Sequence, residues 1–430
     1  MRNDDTNKNL WNHSAAPAPE TSALSCDISC DTAIIGGGFT GLSAALHLAD
    51  AGVDAVVLEA KAIGFGGSGR NVGLVNAGMW MRPDDIIAAV GETTGERLVK
   101  DLGDGPAYVF ELIGKHGIDC EAIHNGTLHL AVGKEGVAEI ETRAAQWQRR
   151  GAPVEALSAD IAGKLTGASG FAGALLDRRA GTVQPLGYAR GLARAAMGAG
   201  AKLFTDTPVV SATRDGETIV LKTARGQVRA KKLIIASNAY SGVVPSMNWS
   251  DHGQELVPMY YFQFATTPLP PEIVGRIMPE GHGCWDTGLV MTSFRTDKSG
   301  RLIFGSIGSL DALGKATHRA FARRAVNALY PFIGNFEFEY WWDGQIGMTR
   351  NNLPSFHQPE KNVWSIAGYN GRGISPGTVF GRALAAVSMG NESAMMLPVT
   401  PVAGDALRGA KSAFYNIGSM AKHFIDHRLN

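Results

Sequence analysis

At 430 residues the chain is long for one hydrophobic core; it has the interior for two domains and a large ligand. Its 40 basic residues balance 40 acidic ones, so it lacks the positive stripe that a nucleic-acid binder needs. Four scattered cysteines, Cys26, Cys30, Cys120 and Cys284, are too few for a disulfide framework and lack zinc-site spacing, so they read as free thiols.

Residues 1–25 are polar and lack the apolar core of a signal peptide; they read as a loose tail draped over the body. The run Asp31-Thr32-Ala33-Ile34-Ile35 predicts a buried parallel strand. Gly36, Gly38 and Gly41 follow at G-x-G-x-x-G spacing, with Phe39 and Thr40 between them, and then a helical run ending at Gly52. A second strand, 54–58, ends at Glu59 and Ala60. In such a unit the first glycine permits the tight turn, the second lets the backbone approach a pyrophosphate, and the third lets helix pack on strand. The helix N-terminus favours phosphate, and an acid in the place of Glu59 accepts hydrogen bonds from ribose. Strand, helix and acid agree, which predicts a dinucleotide site rather than an empty structural turn; the motif alone leaves FAD and NAD open.

A second glycine loop, 63–73, follows almost at once. Gly67, Ser68, Arg70, Asn71, Val72 and Gly73 there can press backbone against a flat ligand; the alternative is a mobile surface loop. Helices are predicted over 83–90, 95–102, 107–116 and 136–150, with a strand at 126–132 and no catalytic signature; His124 and His129 match no metal spacing. A helix over 189–199 leads to strands at 202–204 and 209–213, the latter opening on Val209. A hairpin, 218–223 with 228–230, precedes a buried strand, 232–236, that ends in Ser237 and Asn238. Residues 257–267, with Tyr260, form an aromatic strand whose neighbours are 289–294 and 301–306, a suitable wall for a small-molecule pocket. A helix over 318–328 and a strand over 336–342 lead to a loop holding Gly344 and Met348.

The strand 362–367 then enters a loop containing Tyr369, Asn370, Gly371, Arg372, Gly373 and Ile374, followed by a helix over 378–389. This second strand–loop–helix unit aims a helix N-terminus at something electron-rich, for which the pyrimidine end of a flavin is the natural candidate. Gly373-Ile374-Ser375-Pro376-Gly377 also matches the hydrolase elbow G-x-S-x-G. That elbow needs the N–H of the residue after serine, and Pro376 has none. His423 and His427 are placed on a solvated helix face. The segment 414–429 reads as a docked surface helix, with peripheral membrane contact left open and no run of eighteen apolar residues to span a bilayer.

Together, the fingerprint, the Gly66-Gly67-Ser68-Gly69-Arg70-Asn71 loop, Pro185 with Tyr188, the Ile235-Ala236-Ser237-Asn238-Ala239-Tyr240 strand end and the Gly368-Tyr369-Asn370-Gly371-Arg372-Gly373 loop resemble the D-amino-acid oxidase/glycine oxidase (DAO) family of FAD-dependent enzymes. Within it, Gly69 to Gly78 and Leu176 to Thr182 are most similar to bacterial L-pipecolate oxidases, with γ-glutamylputrescine oxidases as neighbours. The resemblance implies an α/β fold of the glutathione-reductase type. Its discontinuous Rossmann-like FAD domain would comprise 26–82, 171–250 and 335–430, and a substrate domain with a mixed or antiparallel sheet would comprise 83–170 and 251–334. It implies oxidation of a carbon next to nitrogen in a small secondary amine carrying a carboxylate, L-pipecolate first. The alternatives are a γ-glutamylputrescine-type amine oxidase, a D-amino-acid or proline-type dehydrogenase, or a flavin-binding subunit of a larger dehydrogenase. The electron acceptor would be oxygen or a respiratory-chain carrier, with no nucleic-acid partner and a cytoplasmic location. Relatives with covalent flavin carry a cysteine near the position of Met348; none is present here, which implies non-covalent FAD. Others hold the substrate carboxylate with a lysine near the position of Ser375. Arg372 is the expected substitute, with Arg70, Arg295 and Arg350 as further candidates, and Tyr260, Met348, Tyr369 and Asn370 as substrate contacts. No catalytic base is assigned.

Overall fold

The computed structural model describes residues 8–243, 252–311 and 313–425. The strand Ile28–Ile35 forms the middle of an eight-stranded sheet. It pairs in parallel with Ala55–Leu58 on one side and Gln227–Ile235 on the other, which sets Ile35 opposite both Leu58 and Ile235. Lys202–Phe204 and Val363–Ala367 extend it in parallel. The edge strand Ser355–Glu360 and the hairpin Ser211–Asp215/Thr218–Lys222 complete it. The central strands are apolar and buried over their last residues, Ala33 to Ile35, Ala55 to Leu58 and Leu233 to Ile235, as expected of a parallel sheet covered on both faces. Gln227–Ile235 is one strand, not two pieces: Lys231 breaks the apolar pattern but stays on the surface, paired with Asp31 at 2.6 Å.

The helix Phe39–Asp50 packs against this sheet and against the helix Ile374–Ser388. Their crossing depends on Gly381, where a Cβ would lie 2.5 Å from the Thr40 carbonyl oxygen. Ser43 Oγ donates to the Thr378 carbonyl at 2.7 Å across the same contact. The second helix begins four residues before its expected start, because Pro376 sits in a first turn, where a missing N–H costs nothing.

A second eight-stranded sheet runs in the order Phe338–Met348, Val257–Thr266, Leu302–Ile307, Thr292–Thr296, Gly283–Asp286, Thr127–Ala131, Gly173–Asp177, Val154–Ser158. It is antiparallel except between Gly283–Asp286 and Thr127–Ala131. Gly173–Asp177 and Phe338–Met348 belong to it by hydrogen bonding, so this sheet draws on the segments 171–250 and 335–430 as well as on 83–170 and 251–334. Phe338–Met348 continues through what the sequence suggests is a loop. Its glycines make room for neighbours: a Cβ on Gly344 would sit 2.3 Å from Tyr261 Oη.

Two expectations about the ends need correction. The tail is not loose from Lys8 onward: Leu10–Ser14 is a short helix with Leu10 and Trp11 fully buried. Trp11 Nε1 donates to the Asn71 carbonyl at 2.9 Å, Asn9 Nδ2 donates to the Gly69 carbonyl at 3.0 Å, and the indole meets Trp342 edge-on at 5.6 Å. At the other end, His423 is not solvated. It is fully buried, with its Nδ1 2.9 Å from His318 Nδ1 and its Nε2 3.1 Å from Ser306 Oγ. His427 lies outside the described residues. No helix among the described residues is long and apolar enough to cross a membrane.

Candidate active site

The two sheets and the two glycine-opened helices enclose a cavity of about 460 Å³. Its floor is the end of the first sheet, where Ile35 leads into Gly36 and Leu58 into Glu59. Gly36 has φ +109°, and a Cβ there would lie 2.9 Å from the Ala236 carbonyl oxygen, so only glycine fits the turn. Gly38 caps the helix without a side-chain partner of its own. Ser68 Oγ from the second glycine loop accepts from the Phe39 N–H at 3.1 Å instead, and would be 2.8 Å from a Cβ on Gly38. Glu59 accepts from Gly37 N–H at 2.6 Å and from Lys61 N–H at 2.9 Å; burial nonetheless raises its pKa.

The structure gathers most of the predicted contacts around this one cavity: Gly36, Gly38, Phe39, Thr40, Glu59 and Ala60 from the fingerprint; Gly67, Ser68, Asn71 and Val72 from the second loop; Val209, Ser237 and Asn238 from the middle of the chain; and Met348, Tyr369, Asn370, Gly371, Arg372, Gly373 and Ile374 from the end. Gly41, Arg70, Gly73, Gly344 and Tyr260 do not line it. Gly41 lies under the turn, where a Cβ would stand 2.0 Å from the Gly36 carbonyl oxygen. Arg70 braces its own loop, donating to the carbonyls of Phe65 at 2.8 Å and Asp343 at 3.2 Å. Gly73, at φ +88°, leaves room for the Val183 carbonyl. Tyr260 points to the wrong side because residues alternate along Val257–Thr266. Met259, Tyr261 and Gln263 face the cavity, while Phe262 on the other face stacks on His318 at 4.6 Å.

Three buried polar atoms in the lining have no protein partner: Tyr261 Oη, Gln263 Oε1 and Ser375 Oγ. All three atoms are buried away from the open space: Tyr261 Oη is turned against Gly344 and Gln263 Oε1 against Gly305, neither of which lines the cavity. None of them was picked out from sequence as a contact. Tyr369 and Asn370 are already engaged: the tyrosine hydroxyl lies 2.7 Å from Thr40 Oγ1, and Asn370 Oδ1 accepts from Thr349 N–H at 2.9 Å, pinning the loop.

Among Arg70, Arg295, Arg350 and Arg372, only Arg372 lines the cavity. Arg295 is buried behind the second loop and donates to the Val183 carbonyl at 2.6 Å; Arg350 is exposed. The Arg372 side chain has one hydrogen bond to protein, to the Ala77 carbonyl at 2.8 Å, and no ion pair among the described residues. Its guanidinium stands 4.6 Å over the Trp285 ring, which stacks at 3.4 Å on His129. Burial and nearby Arg143 work against its charge, with Asp177 opposing them; burial, Arg143 and Arg372 keep His129 neutral by holding its pKa well below the usual range. Among the described residues no group of three or more His, Cys, Asp or Glu side chains could hold a metal.

The sequence profile of the family described as FAD dependent oxidoreductase, DAO, matches residues 31–387. The chain belongs to that family. It is 31% identical over 373 residues to gamma-glutamylputrescine oxidoreductase of Escherichia coli (strain K12), covering 86% of this chain and 85% of that protein. Among solved structures it is similar to glycine oxidase from Geobacillus kaustophilus, with a TM-score of 0.70 at 23% identity over 88% of this chain and 99% of that one. It is also similar to L-proline dehydrogenase from P.horikoshii, with a TM-score of 0.68 at 19% identity over 85% and 94%. At those identities the structures speak for the fold. This DAO-family chain is therefore an FAD-dependent amine or amino-acid oxidoreductase. Its cavity suits the cofactor, having a turn at Gly36 that only glycine fits, a close backbone approach at Gly38 and two helix N-termini.

Proposed function

We propose that this enzyme oxidises a carbon next to the nitrogen of a small amine that also carries a carboxylate, and that Arg372 holds that carboxylate. The observation that carries the proposal is a guanidinium in the cavity wall with a single side-chain hydrogen bond to protein and no ion pair among the described residues. A carboxylate docking there would accept from the free N–H groups and relieve the burial of an unpaired charge. FAD, when bound, supplies the hydride acceptor. The chain's own residues bind and orient: the Gly36–Gly38 turn and the Phe39–Asp50 N-terminus receive the pyrophosphate, Glu59 the ribose, and the Ile374–Ser388 N-terminus the flavin's electron-rich end. Met259, Tyr261 and Gln263 from the second sheet wall the space left for substrate. With no cysteine near Met348, the cofactor is held without a covalent bond.

L-pipecolate is the candidate from the sequence motifs. The likeness to gamma-glutamylputrescine oxidoreductase favours a second, γ-glutamylputrescine, which also bears a carboxylate. Anaerobic bleaching of the flavin by L-pipecolate, γ-glutamylputrescine, L-proline, glycine and putrescine separates them. Fastest bleaching by a carboxylate-bearing amine is expected. Putrescine outpacing all of them would rule out the role given to Arg372.

A further inference from the structure

Beyond its bond to Ala77, the Arg372 guanidinium is held through its face. Trp285 and His129 are direct partners on the parallel strands Gly283–Asp286 and Thr127–Ala131, so their side chains leave the sheet on the same side. The two buried rings stack at 3.4 Å with 8° between their planes, and the imidazole covers one face of the indole. The Arg372 guanidinium stands over the Trp285 ring at 4.6 Å. Trp80 packs on the same indole at 5.5 Å, and its carbonyl accepts from Arg143 Nη2 at 3.0 Å. Trp285 lines the cavity together with Arg372; His129 does not. A guanidinium carries all its N–H donors in its plane and none on its faces. A carboxylate of the protein would steady it but occupy those donors, whereas a ring against the face occupies none. The acid whose charge reaches Arg372, Asp177, is spent on Arg179 in a two-bond pair at 2.7 and 3.0 Å.

We propose that Trp285 is a positioning residue for the substrate carboxylate: backed by His129, its open face fixes the plane of the Arg372 guanidinium and leaves the in-plane donors for a two-bond clasp. This role depends on Arg372 being the group that holds the carboxylate. His129 acts one layer further back. With the imidazole against it, the indole cannot turn away from the guanidinium without opening a gap in the buried stack. Trp285 thereby sets where the substrate's carboxylate lies, and so which carbon next to nitrogen reaches the flavin.

The test is a double-mutant cycle on the flavin-loaded enzyme: Trp285→Leu, Arg372→Met and both together. KM and kcat are read for L-pipecolate, or for γ-glutamylputrescine if that bleaches the flavin faster. Trp285→Leu should raise KM roughly 5- to 30-fold, the span of a desolvated cation–π contact, with a smaller change in kcat. Trp285→Phe keeps a ring face and should stay within ~3-fold of the unaltered enzyme. With Arg372→Met already present, Trp285→Leu should add less than ~2-fold, because no guanidinium remains to be positioned. His129→Leu should raise KM at least ~2-fold, again only while Arg372 is present, and it carries the test if Trp285→Leu loses its flavin. A raised KM in Arg372→Met beside an unchanged KM in Trp285→Leu would overturn the positioning role alone. An unchanged KM in Arg372→Met would remove the carboxylate from Arg372 and this role with it. An equal effect of Trp285→Leu with and without the guanidinium would give the indole a substrate contact of its own and overturn the proposal, as would a phenylalanine variant as impaired as the leucine one.

Discussion

Replacing Arg372 with lysine keeps a positive charge in the cavity wall and removes the planar fork. In the structure one guanidinium nitrogen is spent on the Ala77 carbonyl at 2.8 Å, and the group is steadied over Trp285 at 4.6 Å, so its remaining N–H donors are held in one orientation. Lysine has a single nitrogen, which cannot satisfy Ala77 and meet a carboxylate with two parallel bonds. The loss is therefore about one charge-assisted hydrogen bond, roughly 1.5–3 kcal/mol, or about a 10- to 150-fold rise in KM for the substrate found by flavin bleaching. Because the carboxylate is bound alike before and during hydride transfer, kcat should change much less than KM. The assay is steady-state kinetics on protein with full flavin content, alongside the bleaching rate as a function of substrate concentration. An unchanged KM in a fully loaded variant would refute the assignment. A fall in kcat alone would move Arg372 from holding substrate to shaping the flavin's surroundings.

Gly38→Val should abolish FAD binding, because even its first side-chain carbon would stand 2.8 Å from Ser68 Oγ in the phosphate turn; full flavin in a folded variant would place the cofactor elsewhere. Acid precipitation should release all the yellow colour to the supernatant, and colour retained in the pellet would indicate a covalent link. Buried His318 has its pKa lowered to about 4, by burial first, with Asp311 opposing. In the unfolded chain an imidazole takes up its proton near pH 6.5, so stability should fall as pH drops from about 6.5 to about 4, by roughly 3 kcal/mol from this group. Melting curves across that range should be flatter for His318→Asn; equal slopes would show that the His318–His423 contact is not the acid-sensitive element.

Local chemistry made the first half of the site legible. Gly36, Gly38, Gly41 and Glu59 lie within one strand–helix–strand unit, where spacing alone fixes their relation. The substrate wall was harder to read because it depends on parity: a shift of one residue along Val257–Thr266 exchanges Tyr261 for Tyr260, and the run of aromatic residues carries no alternation to choose between them. Arg372 was readable as a charge among glycines. Its setting on Trp285 and His129 was not, because Gly283–Asp286 and Thr127–Ala131 meet only by pairing across a long stretch of chain. The same holds for His423, whose burial depends on His318 and Ser306. The strand Ser355–Glu360 escaped notice because His357, Gln358, Pro359 and Glu360 are poor strand formers held there by pairing with Val363–Ala367.

The Trp11 plug also sets an order of assembly. The indole and its neighbours close over the Gly67–Gly69 turn from behind, but they need the Gln184 side chain, which donates to the Trp11 carbonyl at 3.1 Å, and the face of Trp342. During synthesis Trp11 is made long before Trp342, which lies more than 300 residues further along the chain. The glycine loop of the nucleotide site is consequently complete in sequence long before it is clamped. The Leu10–Ser14 helix is therefore among the last parts to settle, and the cofactor has that whole interval to enter an unclamped cradle.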